Sequence, residues 1–507
     1  MRDLLKRLTS KSFTISVLVL FQLFLVYMLM YQLSNWIPVL YIILSGIGVV
    51  LSIVLINTHM NPSYKMSWIF LILTVPLIGV TTYLMFGGRK VPKDLRTGIN
   101  QLSLDKQPLL VQKADPILGL KDDCPRSYKM SNYLFKTTQY PVYDDSKTTY
   151  YATGETKYEA LMEALKGAEK FIFLEYFIVK EGYMLDSIKA VLKEKVKQGV
   201  EIKMIFDDFG ALKLPESFKK EMKDAGIQLY YFNPIRPILA IFMNNRDHRK
   251  IAVIDGKIGF IGGLNIADEY INKIVRFGHW KDTAIKIEGN AVFSLTVMFL
   301  HFFRYLSKKP IDFMSYYVEN PVYQNEGYVQ MFSDSPTDEE LVAESAHLSL
   351  INEAEQYLYI MTPYLVIGHE MTMALILAAK SGVDVRILVP HIPDKWYVLS
   401  VTRSNYEVLT KAGIRIYEYT PGFVHGKVML ADDVMAIVGT SNLDFRSYYM
   451  HFECGALITY SPSLIQMKKD YLDTLEVSQE IFYQDTRKVH PIIRLGRMLL
   501  NVFSSVL

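Results

Sequence analysis

Two stretches of this chain carry the same spacing, H-x-K-x4-D-x6-G-x2-N, and any fold it adopts must place both. The first runs through His248, Lys250, Asp255, Gly262 and Asn265, the second through His425, Lys427, Asp432, Gly439 and Asn442. Side chains at i and i+2 of a strand share a face. On a strand, then, the imidazole and ammonium of each copy point the same way. The apolar residues 251–254 continue the first strand, Asp255-Gly256 reads as a tight hairpin turn, and Gly262-Gly263 ends the returning strand. One such match occurs easily by chance. Two with the same tail do not.

The repetition extends upstream of the motifs. Residues 168–174, 199–205 and 225–230 parallel 354–360, 382–388 and 412–417, each a strand signal after a helical one. Alternating helices and strands, given twice, predict two α/β domains related by duplication, at 151–330 and 331–507. Each half holds one His/Lys pair, so the expected site forms at a pseudo-twofold interface. Residues 91–150, polar and punctuated by prolines, read as a juxtamembrane linker.

Residues 1–90 have a different character. Three uncharged runs, 13–33, 37–56 and 67–86, are each long enough to span a bilayer as a helix. The first is too long for a signal peptide, and no small-residue cleavage site follows it. Basic residues flank the block at both ends: Arg2, Lys6, Arg7 and Lys11 before it, Arg89, Lys90, Lys93 and Arg96 after it. The positive-inside rule places both clusters in the cytoplasm. That requires an even number of spans, so either one run does not cross or one cluster lies outside. The tail, 491–507, reads as an amphipathic helix, lying on a membrane or packed on the body. A net charge of +3 over 507 residues lacks the basic footprint of a nucleic-acid binder. Two cysteines, Cys124 and Cys454, make no disulfide framework.

Two imidazoles and two ammonium groups meeting at one point suit a phosphodiester. Lys250, Lys427 and the amides of Asn265 and Asn442 can bind the non-bridging oxygens, with hydroxyls at Thr440 or Ser441 as further donors. One histidine can attack phosphorus while the other protonates the leaving oxygen and later deprotonates the acceptor. Asp282 and Glu453, each following a motif in a strand-like setting, are candidates to orient the histidines. Asp255 and Asp432 fall at the hairpin turns and read as structural. No metal is expected, because a lysine between the would-be ligands repels a cation.

The doubled motif resembles the phospholipase D superfamily. Residues 61–68, then Pro76, Gly79 and Tyr83, resemble the membrane domain of bacterial cardiolipin synthases, as do residues 265–270, Trp280-Lys281-Asp282-Thr283 and 439–447. The resemblance covers the chain from about residue 37 onward and implies phosphatidyl transfer. Two phosphatidylglycerols would give cardiolipin and glycerol at a bacterial membrane, with no cofactor or nucleotide. It carries over His248, Lys250, Asp255, His425, Lys427 and Asp432 as the catalytic set, with His248 as nucleophile and His425 as acid and base. A lipid hydrolase, a phosphatidylserine-forming enzyme and a nuclease share the motif; only the nuclease has no use for the apolar runs. The apolar stretch 237–243, leading into His248, is read either as core or as a rim admitting acyl chains.

Overall fold

The structure, a computed structural model, describes residues 37–58, 60–87, 91–104, 109–235 and 244–505, together with 20–22, 24, 27 and 28, all helical. The N-terminal block contains α1 (Ile37–Ile56), α2 (Pro62–Thr74) and α3 (Pro76–Phe86). Among the described residues, α1 alone is long and apolar enough to cross a membrane. Its window Val39–Ile56 has a mean hydropathy of 2.8 and is 17% buried.

The run 67–86, expected as a single span, is instead broken. Val75 leaves helical geometry (φ −136°, ψ 72°) just before Pro76. Proline has no N–H to give to the preceding turn, and its ring disfavours a helical residue before it. The two pieces, 13 and 11 residues long, are each too short to cross. The bend is sharp: a Cβ on Gly79 would lie 2.4 Å from the Leu71 carbonyl oxygen. Apart from the few helical positions named above, the expected span 13–33 lies outside the described residues.

The body is built on two sheets of matching topology. The first half supplies β1 (Ser146–Tyr151), β2 (Phe171–Tyr176), β3 (Glu201–Asp207), β4 (Gln228–Phe232), β5 (Ile251–Ile254), β6 (Ile258–Gly262) and β7 (Ala284–Gly289). The second supplies β8 (Tyr328–Asp334), β9 (Tyr357–Met361), β10 (Asp384–Pro390), β11 (Arg415–Tyr419), β12 (Val428–Ala431), β13 (Met435–Gly439) and β14 (His451–Thr459). The spatial orders are β1-β7-β6-β5-β2-β3-β4 and β8-β14-β13-β12-β9-β10-β11. The second sheet has an extra edge strand at each end, Val142–Tyr143 and Ser478–Ile481; its seven inner strands map onto the first sheet strand for strand, which is the predicted duplication.

The central strands are buried along their whole length because both faces of each sheet are covered. Between the sheets runs α4 (Val292–Ser307), buried continuously from Val292 to Phe303 in a core that takes residues from both halves. The stretch 91–150, read as a linker, is built into this body. Met130 and Leu134 enter the second half's outer core, Val142-Tyr143 extends the sheet at β8, and β1 edges the first sheet. Three further helices belong to the second half: α5 (Trp396–Ser404), α6 (Phe445–Tyr449) and α7 (Pro491–Val502).

Candidate active site

Each motif histidine is fixed by the opposite half. Arg246-Asp247 pairs in parallel with His451-Phe452 at the start of β14, and the next residue, His248, donates its backbone N–H to the Phe452 carbonyl at 3.0 Å. In the same manner Gly422–Val424 pairs with His279–Lys281, and the His425 N–H donates to the Lys281 carbonyl at 2.7 Å. His248 and Lys250, expected on a strand, therefore sit just before β5, with the His248 N–H committed to the other domain.

The carboxylates are exchanged as well. Glu453 faces His248, with its two oxygens 2.9 and 3.1 Å from Nδ1; Asp282 faces His425, 2.7 Å from Nδ1. Both carboxylates are completely buried. Burial pushes each carboxyl up, but the adjacent imidazole reverses this and holds it below the usual range, Glu453 well below. A carboxylate at Nδ1 accepts the hydrogen bond from the proton on that nitrogen and leaves the Nε2 lone pair free. Burial lowers the His248 imidazole well below its ordinary value and His425 to about 4.

The lysines complete the convergence. Each Nζ donates to the carbonyl of its own motif histidine. Burial lowers Lys250 to about 8 and Lys427 to about 7, against the pull of both Glu453 and Asp282. Each ammonium thus feels the carboxylates of both halves, which requires one composite cluster. Around it, Ser441 Oγ and Asn442 Oδ1 are buried without a hydrogen-bond partner among the described residues. Polar groups in that condition cost stability unless a ligand completes them.

Other residues singled out in the sequence have different employment. Asn265 accepts the Ile178 N–H at 2.9 Å and donates to the Tyr270 hydroxyl at 2.8 Å, tying a loop under the site. The Asn442 amide points to Asp444 at 3.3 Å. Asp255 and Asp432 occupy the β5–β6 and β12–β13 turns in left-handed conformation (φ 54° and 61°). Each carboxylate accepts three consecutive backbone N–H groups, those of 169–171 for Asp255 and 355–357 for Asp432.

A family model described as cardiolipin synthase, PLD-like domain, matches residues 161–275 and 348–475, one segment in each half. A cardiolipin synthase of Alkalihalophilus pseudofirmus is 33% identical over 462 residues, covering 89% of this chain and 91% of that protein. The chain belongs to the cardiolipin synthase family. Cardiolipin synthase 2 of Bacillus anthracis is 34% identical over 431 residues, 84% of this chain and 83% of its own length. A second family model, the phospholipase D-nuclease N-terminal domain, matches residues 46–88, across α1 to α3. The crystal structure of Haemophilus influenzae phosphatidylserine synthase superposes with a TM-score of 0.57 at 14% identity, covering 75% of this chain and 99% of that one. That likeness shows the shared fold.

Beside this family framework stands a residue that sequence reasoning passed over. His451 is buried, its ring centroid is 5.3 Å from that of His248, and its Nδ1 is 3.6 Å from Glu453. In the other half the matching position, two residues before the carboxylate, is Trp280, whose indole N–H reaches Asp282 at 3.4 Å and whose ring lies 5.3 Å from His425. Setting 279–282 against 450–453 on their carboxylates would have exposed the pair. Of the two hydroxyls expected as further phosphate donors, Thr440 or Ser441, that of Thr440 is given to Glu453. His248, His451 and Glu453 bring three possible ligand atoms within 4.8 Å of one another. The Lys250 ammonium on the His248 carbonyl opposes a cation there.

Proposed function

We propose that the protein is a cardiolipin synthase in which His248, Lys250, His425 and Lys427 do the chemistry on two molecules of phosphatidylglycerol. The observation that carries this reading is the pair of buried imidazole–carboxylate contacts, each drawn from both halves and each beside a lysine. In the first step Nε2 of His248 attacks phosphorus, the bond from phosphorus to the head-group glycerol oxygen breaks, and His425 gives that oxygen its proton. In the second, the terminal hydroxyl of another phosphatidylglycerol attacks the phosphohistidine and passes its proton to His425. The phosphorus–nitrogen bond breaks, releasing cardiolipin and restoring His248. Binding of the phosphodiester anion favours the charged forms of His425 and both lysines, offsetting their desolvation. The ammonium groups and the unpaired Ser441 hydroxyl stabilise the oxygens as charge builds up. Asp255 and Asp432 support the turns behind the motifs.

The protein acts at a bilayer, and we place its body on the cytoplasmic side, following the basic residues that flank the apolar block. The apolar stretch 237–243, a candidate rim for acyl chains, lies outside the described residues. The test is incubation of the purified protein with phosphatidylglycerol vesicles, measuring glycerol, cardiolipin and phosphatidic acid together. Equal glycerol and cardiolipin with little phosphatidic acid is expected. Phosphatidic acid as main product would make it a phospholipase.

A further inference from the structure

Among the described residues, helix α7 is held to the body along one side only. Arg494 pairs with Glu407 at 2.9 Å, and Leu500 packs on the cluster of Val366, Val401 and Phe445. The opposite face presents Ile492, Leu495, Met498 and Leu499 to the outside, with Ile492 74% exposed. Positions i, i+3 and i+7 form one continuous stripe on a helix. Two arginines are the only charged residues of α7, and Lys488, exposed just before it, pairs with Asp485 at 3.2 Å. The helix runs antiparallel to α5: Ser504 lines the same small cavity as Lys395 and Val398, while Arg494 reaches Glu407 beyond the far end of α5. At its C-terminal end it joins the N-terminal block, where Phe503 packs edge-on against Phe70 and the Val502 carbonyl and Ser505 hydroxyl meet Ser67. Trp396, 70% exposed, opens α5 at that same end.

We propose that α7 lies in the surface of the bilayer, with its apolar stripe among the acyl chains of anionic lipids and Trp396 at head-group level. Three observations select a lipid surface as the occupant. The stripe is continuous with a block that contains a helix able to cross the membrane. The helix carries no acidic residue and two basic ones, of which Arg494 is taken up by Glu407, a balance that suits anionic head groups. An exposed tryptophan stands where the helix meets that block, as at membrane interfaces. The consequence is for the site. Leu500 supports Phe445, the first residue of α6, while Asn61 bonds the Tyr449 hydroxyl at 2.9 Å and Met450 packs on the membrane-block cluster. Docking of α7 would hold the wall that ends in His451 and Glu453 against the lipid.

The inference rests on the lipid-enzyme reading for its purpose, but its test does not use turnover. Cys124 and Cys454 are buried, so Leu495→Cys or Leu499→Cys in the full-length protein takes a thiol-directed fluorophore selectively. The labelled protein is placed in phosphatidylglycerol nanodiscs, with Lys197→Cys, an exposed position on the first half, as control. Expected is several-fold stronger quenching by chain-brominated phosphatidylglycerol than at the control, and several-fold weaker quenching by iodide. Ile492→Asp together with Met498→Asp should return the Leu495→Cys label to iodide while the melting temperature holds. Iodide quenching equal to the control would overturn the proposal. So would protection from both quenchers, which would assign the stripe to a second copy or to the first apolar run.

Discussion

The two half-sites solve one problem with different side chains. Around His425, Asp282 is steadied by the Thr283 N–H at 2.9 Å and the Trp280 indole. Around His248, the longer Glu453 is steadied by the Thr440 hydroxyl and has a second imidazole, His451, beside it. The topology demands only a carboxylate at Nδ1; what braces the carboxylate is left free. That difference gives the duplicated halves separate chemical identities. It fits a reaction in which one histidine bonds phosphorus and the other only moves protons.

The largest effect should come from the histidines. His248→Ala and His425→Ala should each lower turnover by about 10^4-fold or more. The two should differ when the substrate carries an activated leaving group that needs no proton. Then His425→Ala should still accumulate phosphatidyl-enzyme in a rapid-quench experiment, and His248→Ala should not. The reverse pattern would exchange the roles of the two halves.

The crossed carboxylates come next. Asp282→Asn and Glu453→Gln should cost about 10^2- to 10^4-fold in turnover. In proton NMR, Glu453→Gln should shift the Nδ1–H signal of His248 and leave that of His425, with Asp282→Asn doing the opposite. A signal that moved with the carboxylate of its own half would break the crossing.

The lysines set a pH limit. Burial removes the water that stabilises an ammonium, so Lys427 and Lys250 lose their protons at about 7 and about 8, before an exposed lysine would. In the free enzyme kcat/KM should fall as pH rises through that window. The fall in kcat should lie higher, because bound phosphodiester favours the charged lysines. A kcat/KM that kept rising to pH 9 would contradict a role for these charges in substrate capture.

The bracing residues should matter less. A net hydrogen bond is worth about 1 kcal/mol, or about fivefold, so Trp280→Phe and His451→Asn should each slow turnover by roughly that factor. If His451→Asn proved as severe as Glu453→Gln, the third imidazole would belong to the reaction itself. The smallest catalytic effect is expected at the turns. Asp255→Ala and Asp432→Ala leave three backbone N–H groups each without their acceptor. They should lose about 1–3 kcal/mol of stability in denaturant melts, while activity per folded molecule changes only a few-fold. A loss of turnover matching the histidine variants would make them part of the chemistry.

Much of this was legible along the chain. The repeated strand signals predict two α/β halves, found as two sheets of one topology, and Asp255-Gly256 predicts a tight hairpin turn, found with φ of 54° and 65°. Such features are local: they depend on backbone preference and on side-chain alternation over a few residues. The break at Pro76 was also local, yet the apolar run around it reads as a span because hydropathy does not register a missing N–H.

By itself the sequence determined the duplication, the hairpins and the residue types at the site. Only the tertiary structure decided which carboxylate serves which histidine. Glu453 lies 205 residues from His248, and Asp282 lies 143 from His425. Each histidine motif is followed by a carboxylate in its own half, so the pattern is equally compatible with pairing within halves or across them. The choice follows from the short bridges at 246–247 and 422–424, which seat each motif against the other half's strand. Those pairings form only when the two sheets close on α4 and their shared core. No local preference encodes that closure; it comes from burying apolar faces contributed by residues far apart in the chain.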